Sequence, residues 1–192
     1  SNVKNITTAT AVTSNGSPAP AGLSTSRNSA VLQATLPGGS PLFSNPLLFN
    51  NIFWDNRAGT FLGNTVTGIG LASDTNPTYN WDLGVAGGTG LLAPTNSLMQ
   101  VATGTLPDGS NIVGPAADPL VVSMYDTSVR VLPWRGTPRF VDILMVTADA
   151  TPNLLGDYHL QATSRSVDAG AASKGAVNAP AMDIDGNERP TG

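Results

Sequence analysis

Three oxygen-bearing side chains near the end of this 192-residue chain have the spacing of metal ligands. Residues 183–188 (DIDGNE) place Asp183, Asp185 and Asn187 at alternate positions, with a glycine before the last of them. Oxygen ligands two residues apart can converge on a hard cation, and glycine permits the sharp turn that this needs. The spacing therefore suggests calcium as a ligand. It is also typical of a turn in which Asp and Asn side chains cap backbone amides.

The only histidine is His159, and its surroundings do not predict a catalytic base. It lies in residues 157–161 (DYHLQ), a predicted strand in which Tyr158 and Leu160 would face the core while Asp157 and His159 would face outward. A catalytic base needs a positioned nucleophile and a group that orients the base. The sequence shows neither, so we predict a structural or exposed histidine.

Carboxylates for polysaccharide cleavage are the next candidates, because glycoside hydrolysis needs two placed acids. The chain has 13 acidic residues, but none lies in a polygalacturonase-like N-T-D, D-D or G-H-G arrangement. No pattern ties Arg130, Arg135 or Arg139 to acids, as a lyase site would require. We therefore predict no catalytic residue and favour a protein that is not an enzyme, since analogy at the level of fold would be the only support for one.

Two aromatic residues are candidates for carbohydrate binding. Tyr79 and Trp81 lie two residues apart, so on a strand they would share one face and could stack against a sugar ring. Buried packing is the alternative for this pair, and it is the favoured reading for Trp54. The glycine-rich residues 84–90 (GVAGGTG) lack the Gly-Lys-Ser/Thr ending of a phosphate-binding loop.

The composition indicates an all-β protein. Only 11% of residues are charged, which is too few for the solvated faces of surface helices. The 21 glycines and 15 prolines favour frequent turns. With 40% hydrophobic residues and a net charge of −4, collapse outweighs charge repulsion, so the chain should fold.

Composition also argues against several partners. The absence of cysteine removes disulfides and thiolate zinc sites. Nine scattered basic residues and a pI of about 4.6 argue against nucleic acid, which requires clustered Lys and Arg. No stretch approaches the roughly 18 apolar residues of a membrane-spanning helix. No cofactor is indicated apart from calcium.

The chain is predicted to have two parts. Residues 1–46 form an N-terminal β and loop segment with partial rungs, in which residues 30–34 (AVLQA) predict a short strand. Residues 47–192 begin with the strongest apolar run, LLFNNIFW, which suits a strand buried in a parallel sheet or solenoid, or in a sandwich. Its Asn residues would lie where the chain bends and could satisfy backbone groups of neighbouring rungs. Residues 59–119 form a predicted Gly- and Asn-rich insertion.

Six motifs in order resemble a bacterial family of right-handed parallel β-helix surface proteins with a choice-of-anchor type C-terminal domain. The resemblance spans roughly residues 46–192. Where the family has S-P-A-I-D-A-G this chain has SRSVDAG, and a second Phe-Val-Asp at residues 140–142 indicates an insertion. The motifs are residues 50–56 (NNIFWDN), 79–83 (YNWDL), 118–121 (DPLV), 157–161 (DYHLQ), 164–170 (SRSVDAG) and 183–190 (DIDGNERP).

The resemblance implies a right-handed parallel β-helix (solenoid) segment that is secreted and attached to a bacterial cell surface. The function it implies is that of a non-catalytic structural or adhesive module, processed from a longer precursor. The alternatives are a polysaccharide-binding or polysaccharide-degrading β-helix, and a scaffold subunit of a larger surface assembly. Because a rung buries its apolar face only against its neighbours, we expect the module to oligomerise or to dock on the rest of its precursor or another surface protein.

Overall fold

The computed structural model describes residues 6–8, 16–62, 65–70, 74–88, 90–123, 129–132, 145–148, 157–183 and 185–189. Within these ranges the chain forms fourteen short strands and one helix, so the predicted all-β class is confirmed. Parallel strands lie only in sheets of two or three strands, and the β-helix itself stays a prediction. The described residues contain no helix long and apolar enough to cross a membrane.

The elements are short, with two to six residues each. The strands are β1 (Ile6–Thr8), β2 (Leu23–Ser26), β3 (Ile52–Phe53), β4 (Arg57–Leu62), β5 (Thr65–Thr67), β6 (Leu83–Ala86), β7 (Leu98–Met99), β8 (Ile112–Val113), β9 (Val121–Ser123), β10 (Val129–Leu132), β11 (Met145–Ala148), β12 (Asp157–Leu160), β13 (Ser173–Lys174) and β14 (Val177–Asn178); the helix is α1 (Ala30–Thr35).

The predicted strand at residues 30–34 is wrong, because this segment is helix α1. Ser29 caps the helix by accepting a hydrogen bond from the Leu32 N–H, 3.1 Å away. Serine is among the preferred residues at this position, and Ala, Leu and Gln are good helix formers. A local capping signal therefore outweighs the apolar run as a guide to structure.

Parallel pairing follows a repeated order along the chain. Strands β1, β2 and β3 come first, and β4, β6 and β7 then pair with them in the same order. Strand β8 adds to the other side of β7. We call these three sets the first, second and third layers. The hairpin β4–β5 is antiparallel and extends from the second layer.

Residues from these layers form the core, which consists of two clusters. The larger contains Leu48, Leu83, Val85, Leu92 and Met99, and the smaller contains Trp54, Leu98 and Ala117. The predicted burial of Trp54 is confirmed. Residues 59–119, predicted as a loose insertion, supply strands β6 and β7, in which every residue but Ala86 is buried. Strands of two to four residues between glycines and prolines are too short to show a clear periodicity in sequence.

The remaining strands form antiparallel pairs, namely β9 with β12, β10 with β11, and β13 with β14. Strand β12 contains the histidine motif. Its predicted inward residue Tyr158 is 41% exposed, so that prediction is wrong, whereas Leu160 is half-buried. The pairing of β12 with β9 shifts register between Asp157 and Leu160, and such an irregularity breaks the strict alternation of faces.

Candidate functional site

Two bends before β3 and β7 lie at equivalent positions. Asn50 and Asn96 precede these strands by two residues, and both adopt positive φ angles of 57° and 46°. Asparagine tolerates this left-handed conformation better than most residues do. Because β3 and β7 pair in register, the two bends are stacked in adjacent layers.

The residues after these bends form a ladder of side chain to backbone hydrogen bonds. Asn51 N–H donates to Ser97 Oγ at 3.2 Å, and Ser97 N–H donates to Asn111 Oδ1 at 3.0 Å. Ser97 is 2% exposed, and its hydroxyl donates to the carbonyl of Thr95 at 2.8 Å. Two side chains, those of Ser97 and Asn111, therefore each satisfy a backbone N–H of the layer before. The Asn pair lies at a bend as predicted, but the side chain of Asn51 donates to the Phe49 carbonyl of its own layer rather than to a neighbouring one.

A segment from the end of the chain lies across the same bends. We call residues 169–174 the strap. Asn50 Nδ2 donates to the Ala171 carbonyl and Asn50 Oδ1 accepts the Ala171 N–H, both at 2.7 Å. Asn96 Nδ2 donates to the Ala169 carbonyl at 3.4 Å. The strap, which overlaps the SRSVDAG motif, thus joins the first and second layers.

A lysine completes the strap. Lys174 Nζ donates to the carbonyl of Leu48 at 2.8 Å and to that of Ala93 at 2.7 Å. These carbonyls belong to the segments that lead into β3 and β7. Hydrogen bonds from a charged donor contribute more than neutral ones, about 1.5–3 kcal/mol each. The ammonium group therefore links the first and second layers. The chain has no cysteine, so a disulfide cannot serve this purpose.

We expect Lys174→Met to lower the free energy of unfolding by about 2 kcal/mol, because two partly buried carbonyls lose a charged donor. Urea unfolding followed by tryptophan fluorescence measures the change. The matched control is Arg165→Met, which removes a positive charge from an exposed residue near the strap. An equal loss in both variants would contradict a specific role for the strap lysine.

Asp82 is the only charged side chain that is fully buried in the described part of the chain. Its Oδ1 accepts from Asn56 Nδ2 at 2.8 Å, and its Oδ2 accepts from the N–H groups of Gln100 at 2.7 Å and Val101 at 3.0 Å. Burial raises the pKa of the Asp82 carboxyl, while these donors oppose the rise. The carboxylate joins the bend after β3, the start of β6 and the bend after β7.

His159 lies between two carboxylates. Its Nδ1 is 2.5 Å from Asp157 Oδ1 and its Nε2 is 2.5 Å from Asp185 Oδ2. An imidazole can donate from both nitrogens only when it is protonated. The hydrogen bonds to Asp185 and Asp157 raise the pKa of His159 to about 9. The predicted outward orientation of His159 is confirmed, since its side chain is 59% exposed.

We expect the His159 pKa in the folded chain to lie near 9, well above the unfolded value of about 6.5. Its contribution to stability is therefore fully present below about pH 6.5 and is lost as the pH rises through about 9. NMR titration of the imidazole ring measures the His159 pKa without signal overlap, because the chain has one histidine. Asp185→Asn should lower the midpoint, whereas Asp168→Asn, a control at an exposed carboxylate, should leave it unchanged. An unshifted wild-type midpoint near 6.5 would contradict the arrangement.

The three predicted calcium ligands lie in one turn but are occupied by other contacts. Asp183 Oδ1 accepts the N–H groups of Asp185 at 2.9 Å and Asn187 at 2.8 Å, and Asp183 Oδ2 accepts from Asn187 Nδ2 at 3.2 Å. Asp185 pairs with His159. The capped-turn reading accounts for these contacts. Among the described residues no three His, Asp or Glu side chains are placed to hold a metal ion, and calcium binding stays a prediction.

The predicted aromatic pair lies just before β6, and its two rings are in contact. The rings of Tyr79 and Trp81 have centroids 6.3 Å apart at an interplanar angle of 82°, an edge-to-face arrangement. Trp81 Nε1 donates to the Leu83 carbonyl at 2.9 Å, which fixes the indole. Tyr79 is 44% exposed. Tyr79 is thus the exposed member of the pair and Trp81 is half-buried, and carbohydrate binding there stays a prediction.

No protein-family model matches the chain, and neither a curated protein nor a solved structure shows significant similarity to it. The resemblance to β-helix surface proteins therefore rests on its six motifs alone. Three of those motifs contain residues of the network described above: Asn50 and Asn51, Asp82, and the SRSVDAG segment that enters the strap.

Proposed function

We propose that this chain is a non-catalytic structural or adhesive module, built on a short parallel β-helix, that acts outside the cell or on its surface. The observation that carries the proposal is the polar network at the stacked bends. Its ladder, strap and buried carboxylate all join one layer to the next. A network that uses its buried polar groups for cohesion supports a role in holding shape.

The repeated order of parallel pairs supports the β-helix part of the proposal. Each strand of the second layer pairs with its counterpart in the first, which is how successive rungs of a solenoid stack. The right hand of the helix and the surface location come from the motif resemblance. Docking on the rest of a precursor or on another surface protein follows from the same proposal.

Cell fractionation tests the location. An antibody raised against the purified chain should detect it in the medium, or on intact producing cells in a form that added protease removes. Detection only after cell lysis would contradict a surface role. The same purified chain should release no reducing ends from a panel of polysaccharides, and release would favour the degrading alternative.

Carbohydrate binding without cleavage is the second candidate, and the exposed side chain of Tyr79 in contact with Trp81 favours it. Retardation in polysaccharide-containing native gels tests it. Tyr79→Ala should abolish any retardation, whereas Tyr158→Ala should not. Tyr158 is a suitable control because it has a similar exposure, 41% against 44%, but lies on β12.

A further inference from the structure

The bend ladder has a direction. In each step a side-chain oxygen accepts the backbone N–H of the layer before it, first Ser97 Oγ from Asn51 and then Asn111 Oδ1 from Ser97. Asn51 occupies the same position in the first layer. Its Nδ2 donates to the Phe49 carbonyl at 2.9 Å, but within the described residues its Oδ1 accepts no hydrogen bond. The ladder therefore ends at an acceptor without a donor.

The backbone of β3 has an open edge on the same side. The carbonyls of Asn51 and Phe53 accept from the N–H groups of Leu98 and Gln100, so these two residues of the first layer point toward β7. Successive residues of a strand point their backbone groups in opposite directions. The N–H and C=O of Ile52 therefore point away from β7, where no other described strand pairs with β3.

Burial also distinguishes the two layers. Leu98 and Met99 of β7 are each 1% exposed, whereas Ile52 and Phe53 of β3 are half-buried. Among the described strands, β7 has a neighbour on both sides and β3 has one on a single side. No charged residue occurs between positions 28 and 54, although exposed strand edges commonly carry lysine or proline that prevents pairing. Strand β3 itself, Ile52–Phe53, contains neither lysine nor proline.

The opposite edge, at β8, is closed at the equivalent ladder position. Asn111 N–H donates to the Asp108 carbonyl at 3.2 Å, so the last donor of the ladder is satisfied within its own turn. Asp108 Oδ1 also accepts the Ser110 N–H at 2.9 Å, which fixes that turn beside the edge. The N–H of Val113 points away from β7. The ladder itself has no unbonded N–H at this edge, because the N–H of Asn111 is already bonded to Asp108. A partner strand that continues the ladder fits β3 only.

We propose that the edge of β3 is an interaction surface for an extended, uncharged polypeptide segment that adds as a parallel strand. The backbone N–H at the bend of that segment donates to Asn51 Oδ1, and its next groups pair with the N–H and C=O of Ile52. Main-chain bonds supply affinity in such strand addition, and side-chain alternation supplies specificity. This inference rests on the proposed function, because it requires that layers add by stacking.

The probe is a capped synthetic peptide, Pro-Thr-Asn-Ser-Leu-Met-Gln-Val, the sequence of residues 94–101, which already pairs with β3 from the other side. Added to the isotope-labelled chain, it should shift the NMR signals of the Asn51 side-chain amide and the Ile52 amide. A scrambled peptide should not. Asn51→Leu should weaken binding at least tenfold, while Asn51→Asp keeps the acceptor oxygen and should retain binding.

Ile52→Pro tests the backbone part of the proposal, because it removes an N–H that bonds to no residue in the described part of the chain. Val113→Pro is the matched control, since it removes the outward N–H of the opposite edge. Loss of binding in the first variant alone supports the β3 edge. Loss in the second alone, or equal binding by Asn51→Leu and wild type, would overturn it.

The absence of any shift at millimolar peptide would also overturn the interaction surface. That result leaves the structural module intact if β3 and β7 still show cross-strand contacts in the NMR spectra. Missing contacts between β3 and β7 in the free chain would instead contradict the stacked layers, and with them the proposed function.

Discussion

Replacement of Asp82 by alanine is expected to lower the free energy of unfolding by about 3 kcal/mol, because one buried and two partly buried N–H donors lose their acceptor. Asn56, Gln100 and Val101 supply these donors. Asn56 is 3% exposed and Asp82 is 0% exposed, whereas Gln100 and Val101 are half-buried, so water can replace the lost acceptor only in part. Asp82→Asn should also destabilise the fold, because its amide nitrogen would face a donor. Urea unfolding at neutral pH measures both variants.

The pH dependence gives an independent check on the same carboxyl. Burial raises its pKa in the folded state above the ordinary value of 3.8, so the folded chain binds this proton more readily than the unfolded chain does. Its contribution to stability is therefore greatest below about pH 3.8 and falls as the pH rises through the folded pKa. The difference in free energy of unfolding between wild type and Asp82→Asn, measured as a function of pH, should show this decline.

The control for Asp82 is Asp108→Asn. Asp108 also accepts backbone and side-chain hydrogen bonds, from Ser110, but it is exposed. Water can replace those bonds, so its loss should destabilise the chain far less. If both variants lost the same stability, burial would not be what makes Asp82 important. A wild-type unfolding midpoint in Asp82→Ala would contradict the role of the carboxylate in joining the layers.

The sequence predicted the first-layer apolar run better than the rest of the core. LLFNNIFW combines aliphatic and aromatic residues over eight positions, and Leu48 and Trp54 are buried as such a run predicts. The Asn pair within it marks the bend. Strands β6, β7 and β8 are shorter, so they carry too few residues for an apolar pattern to stand out among glycines and prolines.

Asp82 was missed for a different reason. In residues 79–83 (YNWDL) the two aromatic residues are the evident candidates for a site. An aspartate beside them is typical of a turn at the surface. Its burial depends on Asn56 and on the bend at residues 100–101, which pairing brings together from distant parts of the chain. The one local signal is its position directly before a buried strand.

The contacts of the C-terminal residues could not be predicted from the sequence either. His159 and Asp185 are 26 residues apart, and Lys174 and Leu48 are 126 residues apart. No periodicity in a single sequence connects positions so far from each other. The motif resemblance placed the SRSVDAG segment near the end of the fold, but the bonds of the strap to Asn50 and Asn96 become visible only in the structure.

Replacement of Gly104 by alanine is expected to destabilise the fold by about 3 kcal/mol, combining the strain of a left-handed non-glycine residue with a steric overlap. Gly104 has a φ of 85°. A Cβ there would overlap the Leu83 carbonyl oxygen and lie 2.9 Å from Gly84 Cα. Both neighbours are backbone atoms of buried β6, so neither can move without displacing the strand. Thermal unfolding followed by circular dichroism measures the loss.

Gly109→Ala is the matched control, because a Cβ at Gly109 meets nothing within 4 Å and its φ is not in the left-handed region. Alanine there should be neutral or stabilise by up to about 1 kcal/mol, since it restricts the unfolded chain. The two glycines lie five positions apart in the same Gly-rich stretch, so composition alone predicts equal effects. Equal melting temperatures would mean that the segment before β8 does not approach β6 closely, and the stacking of the second and third layers would then be wrong at this point.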